Sequence, residues 1–525
     1  MIFEIANTVV AVSVLGALIS LSFLLPEIDG EFTDVANKTR SFLHRVSVLW
    51  VFTSVGNFIA TLARIFDSSI SEVIKVNVIR SFATQITLGK LLAFQIFTSL
   101  LVALFARRLK KNGGAAWVLI LALSGFVAPV FQSHSSSLGS HGLAIGSLLI
   151  HVIALSFWVG AVGALVLMTD DVRTEVFPRV SLIALWASSF VLVSGVLNAW
   201  TRLRLSDAWF TSYGTLIGVK ILLTLAVVVA AARMRKGIGV KYLLPFELVT
   251  LGVVMSIGSI LNRFTPIEDK PQSFDKVREI VGISMPQAPN LNRVFFEYEA
   301  NGLILGILIF VTALYIRGVV ALSRRGVKWP VGRTISFAIG ISLLDYATSG
   351  GLGLYAHFSF QYHMIAHMTL SMIAPIAIIL SAPITLALRT LPIGRSKDER
   401  GIRGLLITFL HSKPTSFWTH PLVALAIFDG SLFALYFTPL FGNLMMSHFG
   451  HMAMDLHFIA AGLLFFHVIV GIDPNPRRVH HLVRVVLLLG AMSIHAFFSV
   501  ALMSANQLID GGYYALLDQI GRAHV

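Results

Sequence analysis

Long apolar blocks separated by short polar segments dominate this sequence. Each block has roughly 20 residues, the length that an α-helix needs to cross ~30 Å of hydrocarbon. The block at 331–347 is the weakest, because it is short and contains Asp345. The pattern predicts about fourteen spanning helices, near residues 5–25, 46–63, 88–106, 115–131, 143–168, 180–200, 213–232, 243–263, 302–322, 331–347, 363–388, 420–438, 451–471 and 482–504.

The composition fits this interpretation. Of the 525 residues, 56% are hydrophobic and 13% are charged, which is roughly half the charged fraction of a soluble domain. We therefore predict an all-α, polytopic integral membrane helical bundle in the cell (cytoplasmic) membrane, with the lipid bilayer as a partner. The sequence contains no cysteine, which excludes disulfides and thiolate metal sites.

The basic residues predict the orientation of the chain. If the loops alternate between sides from an outside N-terminus, every strongly basic cluster falls inside, as the positive-inside rule requires. The net charge of +14 is therefore interpreted as a topology signal, and no nucleic-acid partner is predicted. The clusters are Arg107–Lys111, Arg233–Lys236, Arg324-Arg325, Arg389–Lys413 and Arg477-Arg478.

The longest predicted outside connection divides the chain. Residues 265–300 contain four prolines and several charges, a composition typical of linkers. We predict a domain of eight helices at 1–264, this extracytoplasmic linker, and a domain of six helices at 301–519.

Histidines concentrate toward the predicted outer ends of the spans. His363 and His367 are spaced i, i+4, so they share one helical face and both rings can reach one ion. His451 and Asp455 repeat this spacing. Imidazole and thioether ligands suit copper, and thioether favours Cu(I). Alternatively, each imidazole bonds a nearby carbonyl, and the methionines fill gaps in the core.

Several spaced motifs of the second half resemble the CtaG family of cytochrome c oxidase assembly factors, in the form found with caa3-type oxidases. They occur at 344–348, 358–359, 363–368, 382–389, 451–458, 471–477 and 495–498. The resemblance implies a copper-supplying role. The candidate metal-contacting residues of this half are His363, His367, His451, His457 and His495, with Met364 and Met368 beside the first pair.

The first half resembles the copper resistance protein D (CopD) family, although its motifs are looser. The matching segments are 141–160, 194–198 and Tyr213-Gly214, with Lys220 in the predicted span at 213–232. The resemblance implies copper movement across the membrane, with His141 and His151 as candidate copper-contacting residues. This order of halves is similar to fused proteins of Gram-positive actinobacteria.

Together these features predict a copper-handling membrane protein that is not an enzyme. It would combine copper transport or resistance with copper supply for cytochrome c oxidase assembly, so its partners would be copper ions and oxidase subunits. A b-type haem redox protein and a metal-free assembly scaffold are the alternatives. His363 and His367 argue against haem, because residues one turn apart on one helix cannot serve opposite faces of one macrocycle.

The last six residues, 520–525, read as Ile-Gly-Arg-Ala-His-Val. One frame of a common sequencing adapter translates to this string. We therefore expect read-through on a truncated gene, and His524 is not counted as a ligand.

Overall fold

The computed structural model describes residues 2–28, 30–132, 141–203, 206–238, 240–261, 275–393, 402–477, 479–505 and 509–522. Within these residues the chain is almost entirely helical, and its two short strands, β1 (Glu27–Ile28) and β2 (Glu31–Phe32), pair antiparallel. Twelve described helices are long and apolar enough to cross a membrane. The predicted all-α, polytopic membrane bundle is therefore confirmed.

Two of the fourteen predicted spans do not belong to these twelve, although both are helical. Val331–Thr348 has 18 residues and contains two charged side chains, and Pro421–Tyr436 has 16 residues. Both are short for a perpendicular crossing of ~30 Å. The exact number of crossings and the outside N-terminus remain predictions.

The chain forms two compact units, and the described part of unit 1 comprises residues within 2–132 and 147–261. The helix α7 begins in residues that group with unit 2. The helices up to residue 261 are α1 (Ile2–Ile19), α2 (Asp34–Ile65), α3 (Ile70–Val73), α4 (Val76–Gln85), α5 (Thr87–Ala106), α6 (Asn112–Val127), α7 (His141–Ala164), α8 (Asp170–Leu203), α9 (Ser212–Arg235) and α10 (Val240–Leu261).

A buried polar network joins four helices of unit 1. The amide of Asn7 on α1 donates to Gln95 Oε1 on α5 at 3.0 Å, and Ser54 on α2 donates to Asn7 Oδ1 at 3.0 Å. The Gln95 amide in turn donates to the Gly125 carbonyl on α6 at 3.2 Å. Since buried polar groups are costly unless bonded, this network favours one arrangement of these helices.

Two further contacts hold α7 in unit 1. Gly160 lies against Gly16 of α1, where a Cβ added at position 160 would stand 2.8 Å from the Gly16 Cα. Small residues permit this close approach of two helices. The indole of the fully buried Trp158 donates to Glu247 Oε1 on α10 at 2.8 Å, so this carboxyl group has a partner inside the bundle.

Unit 2 comprises described residues within 141–146, 275–393 and 402–522. Its apolar core gathers side chains from most of its helices. These helices are α11 (Lys276–Val281), α12 (Leu291–Phe296), α13 (Gly302–Arg324), α14 (Val331–Thr348), α15 (Gly351–Ala356), α16 (Phe360–Met368), α17 (Ala374–Leu380), α18 (Pro383–Thr390), α19 (Ile402–Leu410), α20 (Lys413–Trp418), α21 (Pro421–Tyr436), α22 (Leu440–Met445), α23 (His448–Val470), α24 (His481–Met503) and α25 (Tyr513–Arg522).

The predicted span at 363–388 is not one regular helix. A π-helical turn at Thr369–Ile373 separates α16 from α17, and the chain breaks before α18 at Ala382, whose φ is +53°. Asp473, in the loop after α23, accepts hydrogen bonds from the backbone N–H groups of Ile384 and Thr385 at 3.2 and 2.7 Å. This carboxylate therefore caps the N-terminus of α18.

Part of the predicted linker packs with unit 2. Within 275–300, Val277 and Val281 of α11 are buried in the core of this unit. Glu299 donates its backbone N–H to the Ser349 carbonyl at 2.8 Å, next to the bridge between Tyr298 and Gly350. This part of the segment is therefore built into the end of the bundle at which α14 stops.

Candidate metal centre

Two histidines on α16 lie side by side in the interior of unit 2. His363 and His367 are both fully buried, and their ring centroids are 3.9 Å apart. The i, i+4 spacing on a regular helical turn brings the rings together. The π-helical turn begins two residues after His367, and Ser371 within it donates to the His367 carbonyl at 2.7 Å. Such π segments occur frequently at functional sites.

A third histidine comes from the first turn of α23. Ser447 caps this helix by accepting from the Gly450 N–H at 3.0 Å, which fixes where the helix starts. His451 then follows one turn later, 7% exposed. One ring nitrogen from each of His363, His367 and His451 lies within 4.8 Å of the others. We call these three residues the histidine triad.

Asp455, one turn after His451, connects two members of the triad. Its Oδ1 is 3.5 Å from His367 Nε2, and its Oδ2 is 3.6 Å from His451 Nδ1. The carboxylate is buried with them. A carboxylate on one ring nitrogen orients a histidine and makes its other nitrogen a better donor to a metal, and Asp455 is placed to do this for His451. The predicted pairing of His451 with Asp455 is present, and the contact with His367 extends it.

Tyr436, at the end of α21, fixes the other side of His367. Its hydroxyl lies 2.9 Å from His367 Nδ1, and the tyrosine is fully buried. Since Nδ1 is engaged with this hydroxyl, only Nε2, which lies 3.5 Å from Asp455 Oδ1, is left to contact an ion. No spacing in the sequence pointed to Tyr436, which stands at the end of a largely apolar block.

The ring nitrogens of the triad fit a metal ion. Both nitrogens of His363 and the Nε2 of His367 are buried without a hydrogen-bond partner in the described part of the chain. Leaving a buried polar atom unsatisfied costs about 1–3 kcal/mol, and coordination would remove that cost. Metal–imidazole distances are usually ~2.0–2.1 Å, so the three nitrogens, which lie within 4.8 Å of one another, would have to come closer together to bind one ion.

His357 extends the cluster beyond the triad. It follows α15, and its ring stacks on His451 with centroids 4.0 Å apart. Its Nδ1 is 2.9 Å from the Gly353 carbonyl oxygen. Desolvation lowers the pKa of His357 below its ordinary value, although the Asp455 carboxylate opposes this shift. Sequence reasoning did not select this residue as a ligand, since it lies between two helices and has no helical spacing to the others.

Two other predicted ligands of the second half lie apart from the triad. His457 is exposed on α23 and contacts the ring of Phe458, with centroids 5.6 Å apart. His495 on α24 places its Nδ1 2.7 Å from Asp429 Oδ1 on α21, and the aspartate is buried. Asp429 went unnoticed in the sequence, although a single acid within a short apolar helix was a usable signal.

The two predicted methionines have an apolar role in the described contacts. Met364 and Met368 are partly buried and pack against the core of unit 2. Methionine is adaptable in such positions. The metal role predicted for these two methionines stays a prediction, and the groups described at the candidate centre are imidazoles and the carboxylate of Asp455.

The predicted residues of the first half differ in what the structure describes. His141 opens α7, but its side chain is outside the described part, as is His134. His151 is buried, with Nδ1 3.1 Å from Ser194 Oγ and 3.2 Å from the Val191 carbonyl. Elsewhere among the described residues, no second set of three or more histidine, aspartate or glutamate side chains approaches as closely as the triad.

Comparison with known protein families gives three matches along the chain. Residues 5–144 match the family model of the copper resistance protein D-like N-terminal domain, and residues 174–242 match that of copper resistance protein D. Residues 313–524, which include the whole triad, match the cytochrome c oxidase caa3 assembly factor family. These are families of transporters and assembly factors, so the comparisons give no enzyme family.

The chain is also similar to curated proteins. An uncharacterized protein of Mycobacterium leprae is 39% identical over 234 residues, which cover 45% of this chain and 36% of that protein. An uncharacterized protein of Mycobacterium tuberculosis is equally similar over 35% of its length. The copper transport protein CutJ of Bacillus subtilis is 26% identical over 211 residues, covering 37% of this chain and 39% of CutJ.

The match thus spans about a third of the length of the mycobacterial relatives. No solved structure matches the chain at a significant level. The predicted fusion is nevertheless confirmed by the order of the three family matches. The chain is a multi-pass membrane protein that joins copper resistance protein D-like segments to a segment of the caa3-type cytochrome c oxidase assembly factor family.

Proposed function

We propose that this protein handles copper at the cytoplasmic membrane and that the histidine triad of unit 2 is where it holds the ion as cargo. The buried, unpartnered nitrogens of His363 and His367 beside His451 carry this proposal. Imidazole ligands suit copper, and the two matches to copper resistance protein D families and the similarity to a copper transport protein support this metal.

The two halves of the chain would have different roles in copper handling. The first half, which contains both matches to the copper resistance protein D families, would move copper across the membrane, with the predicted His141 and His151 as its candidate ligands. The second half would supply copper to cytochrome c oxidase subunits during their assembly. Asp455 of α23 and Tyr436 of α21 contact members of the triad, which gives a buried site suited to retain an ion until transfer.

The experiment compares the copper content of purified full chains. We expect the wild type to retain about one copper ion at this centre, and the double variant His363→Ala/His367→Ala to lose it. The matched control is His480→Ala/His481→Ala, which removes two exposed histidines at the other end of unit 2. Equal copper in both double variants would refute the assignment.

The same preparations test the alternatives. A haem protein would show a strong Soret band that disappears when its axial ligands are removed. A metal-free scaffold would hold no copper, and oxidase assembly would be intact in cells that carry the His363→Ala/His367→Ala variant. Copper retention without a Soret band, together with impaired oxidase assembly in this variant, would support the copper-supplying role.

A further inference from the structure

His357 stands next to the triad but does not belong to it. Its ring stacks on His451, and none of its nitrogens joins the group in which one nitrogen per residue lies within 4.8 Å of the others. Two stacked rings direct their nitrogens along roughly parallel planes, which makes them poor simultaneous ligands of the same ion. They are well placed to bind one ion in succession.

The chemistry of the His357 ring suits a metal ligand. A carbonyl oxygen only accepts hydrogen bonds, so the 2.9 Å contact with Gly353 places the proton of the neutral ring on Nδ1. The lone pair is then on Nε2. Metal-binding histidines commonly have this arrangement, in which a bond to one nitrogen fixes the tautomer and the orientation of the other.

The backbone around His357 is held by the last described helix. Tyr513 on α25 donates its hydroxyl to the His357 carbonyl at 3.2 Å, and Tyr514 donates to the Ala356 carbonyl at 3.1 Å. Both tyrosine rings also lie against each other, with centroids 5.1 Å apart. The segment that carries His357 is therefore anchored, and its side chain remains beside His451.

The solvent exposure of the histidine side chains decreases from His357 to the triad. His357 is partly exposed, His451 is 7% exposed, and His363 and His367 are fully buried. The basic residues Arg325 and Arg389 meet at the opposite end of unit 2, where the first donates to the carbonyl of the second at 3.0 Å. An ion that approaches from the end at which α15 and α25 lie therefore reaches His357 before the triad.

We propose that His357 is the entry ligand of the centre, which binds incoming copper through Nε2 and passes it to His451 and then to His363 and His367. Each step is a ligand exchange in which one copper–nitrogen bond forms as another breaks, without a change in oxidation state. The inference rests on the proposed function, and it adds a route by which copper reaches the triad and a role for His357 in the rate of loading.

The test measures rate and affinity separately. Cu(I) is transferred from its bicinchoninate complex to the purified full chain, and the loss of the complex's absorbance gives both quantities. We expect His357→Ala to slow loading at least tenfold while the equilibrium affinity stays within threefold of the wild type. His481→Ala, an exposed histidine at the other end of unit 2, should load at the wild-type rate.

A second variant guards against a local folding defect. His357→Asn keeps an N–H donor toward Gly353 but lacks the imidazole lone pair, so it should also load slowly with normal affinity. Loading at the wild-type rate in both variants would overturn the entry role. An affinity loss as large as that of His363→Ala would also overturn it, by making His357 a resident ligand. If the wild-type chain takes up no copper, the proposed function itself is contradicted.

Discussion

At the scale of single residues, Asp455 has the largest expected influence on the centre. It is the acidic side chain that contacts both His367 and His451, at 3.5 and 3.6 Å. Its negative charge lies inside a site that we propose to hold a cation, and it orients two of the three rings. Removing such a carboxylate from beside metal ligands typically lowers affinity 10–100-fold.

We therefore expect Asp455→Asn to weaken copper binding by roughly 10–100-fold, measured by competition with a chelator of known affinity. Asp473→Asn is the matched control, since that carboxylate is equally buried and caps α18 far from the triad. Wild-type affinity in Asp455→Asn would show that the carboxylate is not needed to orient the histidine rings or to balance the charge of the ion. A similar loss in both variants would point to a general effect on folding.

The sequence predicted only part of the residue-level site. The spacing of His363 and His367 was enough to predict that their rings lie side by side, because residues one helical turn apart are neighbours whatever the rest of the fold is. Tyr436, Asp429 and His357 were missed, because their contacts depend on which helices pack together. No local spacing in the sequence contains that information.

At the scale of helices, the contact between Asp429 and His495 joins α21 to α24. The side chains are 3% and 16% exposed, and their charged atoms are 2.7 Å apart. An acid buried among apolar helices is costly without a partner, and breaking a buried pair on one side costs about 3–5 kcal/mol. This contact accordingly predicts a structural role for His495, as an alternative to the metal role that family resemblance implies for it.

We expect His495→Leu to lower the thermal unfolding midpoint of the purified chain, because it leaves Asp429 buried and unpaired. Asp429→Asn in the same chain should recover most of the loss, since it removes the buried charge. Copper content should be unchanged in both variants. If His495→Leu melts normally but loses copper, His495 is a ligand after all and the helix-joining role is wrong.

The helices themselves were predictable, whereas their interruptions were not. Blocks of about 20 apolar residues identify membrane helices because lipid leaves few alternatives to a helix. The π-helical turn after His367 and the break at Ala382 lie within one such block. Asp473 caps α18, which begins 90 residues earlier at Pro383, and no local pattern in the sequence connects these two positions.

At the scale of the whole molecule, the sidedness of the membrane decides which compartment supplies the copper. The basic clusters of the sequence predict an outside N-terminus. Within unit 2, the triad and His357 lie at the end of the helices opposite Arg325 and Arg389. The predicted orientation would therefore open the entry ligand to the outside, where copper arriving from beyond the membrane is captured.

Because the chain contains no native cysteine, single cysteines report the orientation directly. Thr438 follows α21 near Tyr436, and Lys328 lies between α13 and α14, and both are exposed. We expect a membrane-impermeant maleimide to label Thr438→Cys in intact cells, and Lys328→Cys only after permeabilisation. The reverse pattern would invert the orientation. The triad would then face the cytoplasm, so His357 would receive copper from inside the cell, and unit 2 could not capture it from outside.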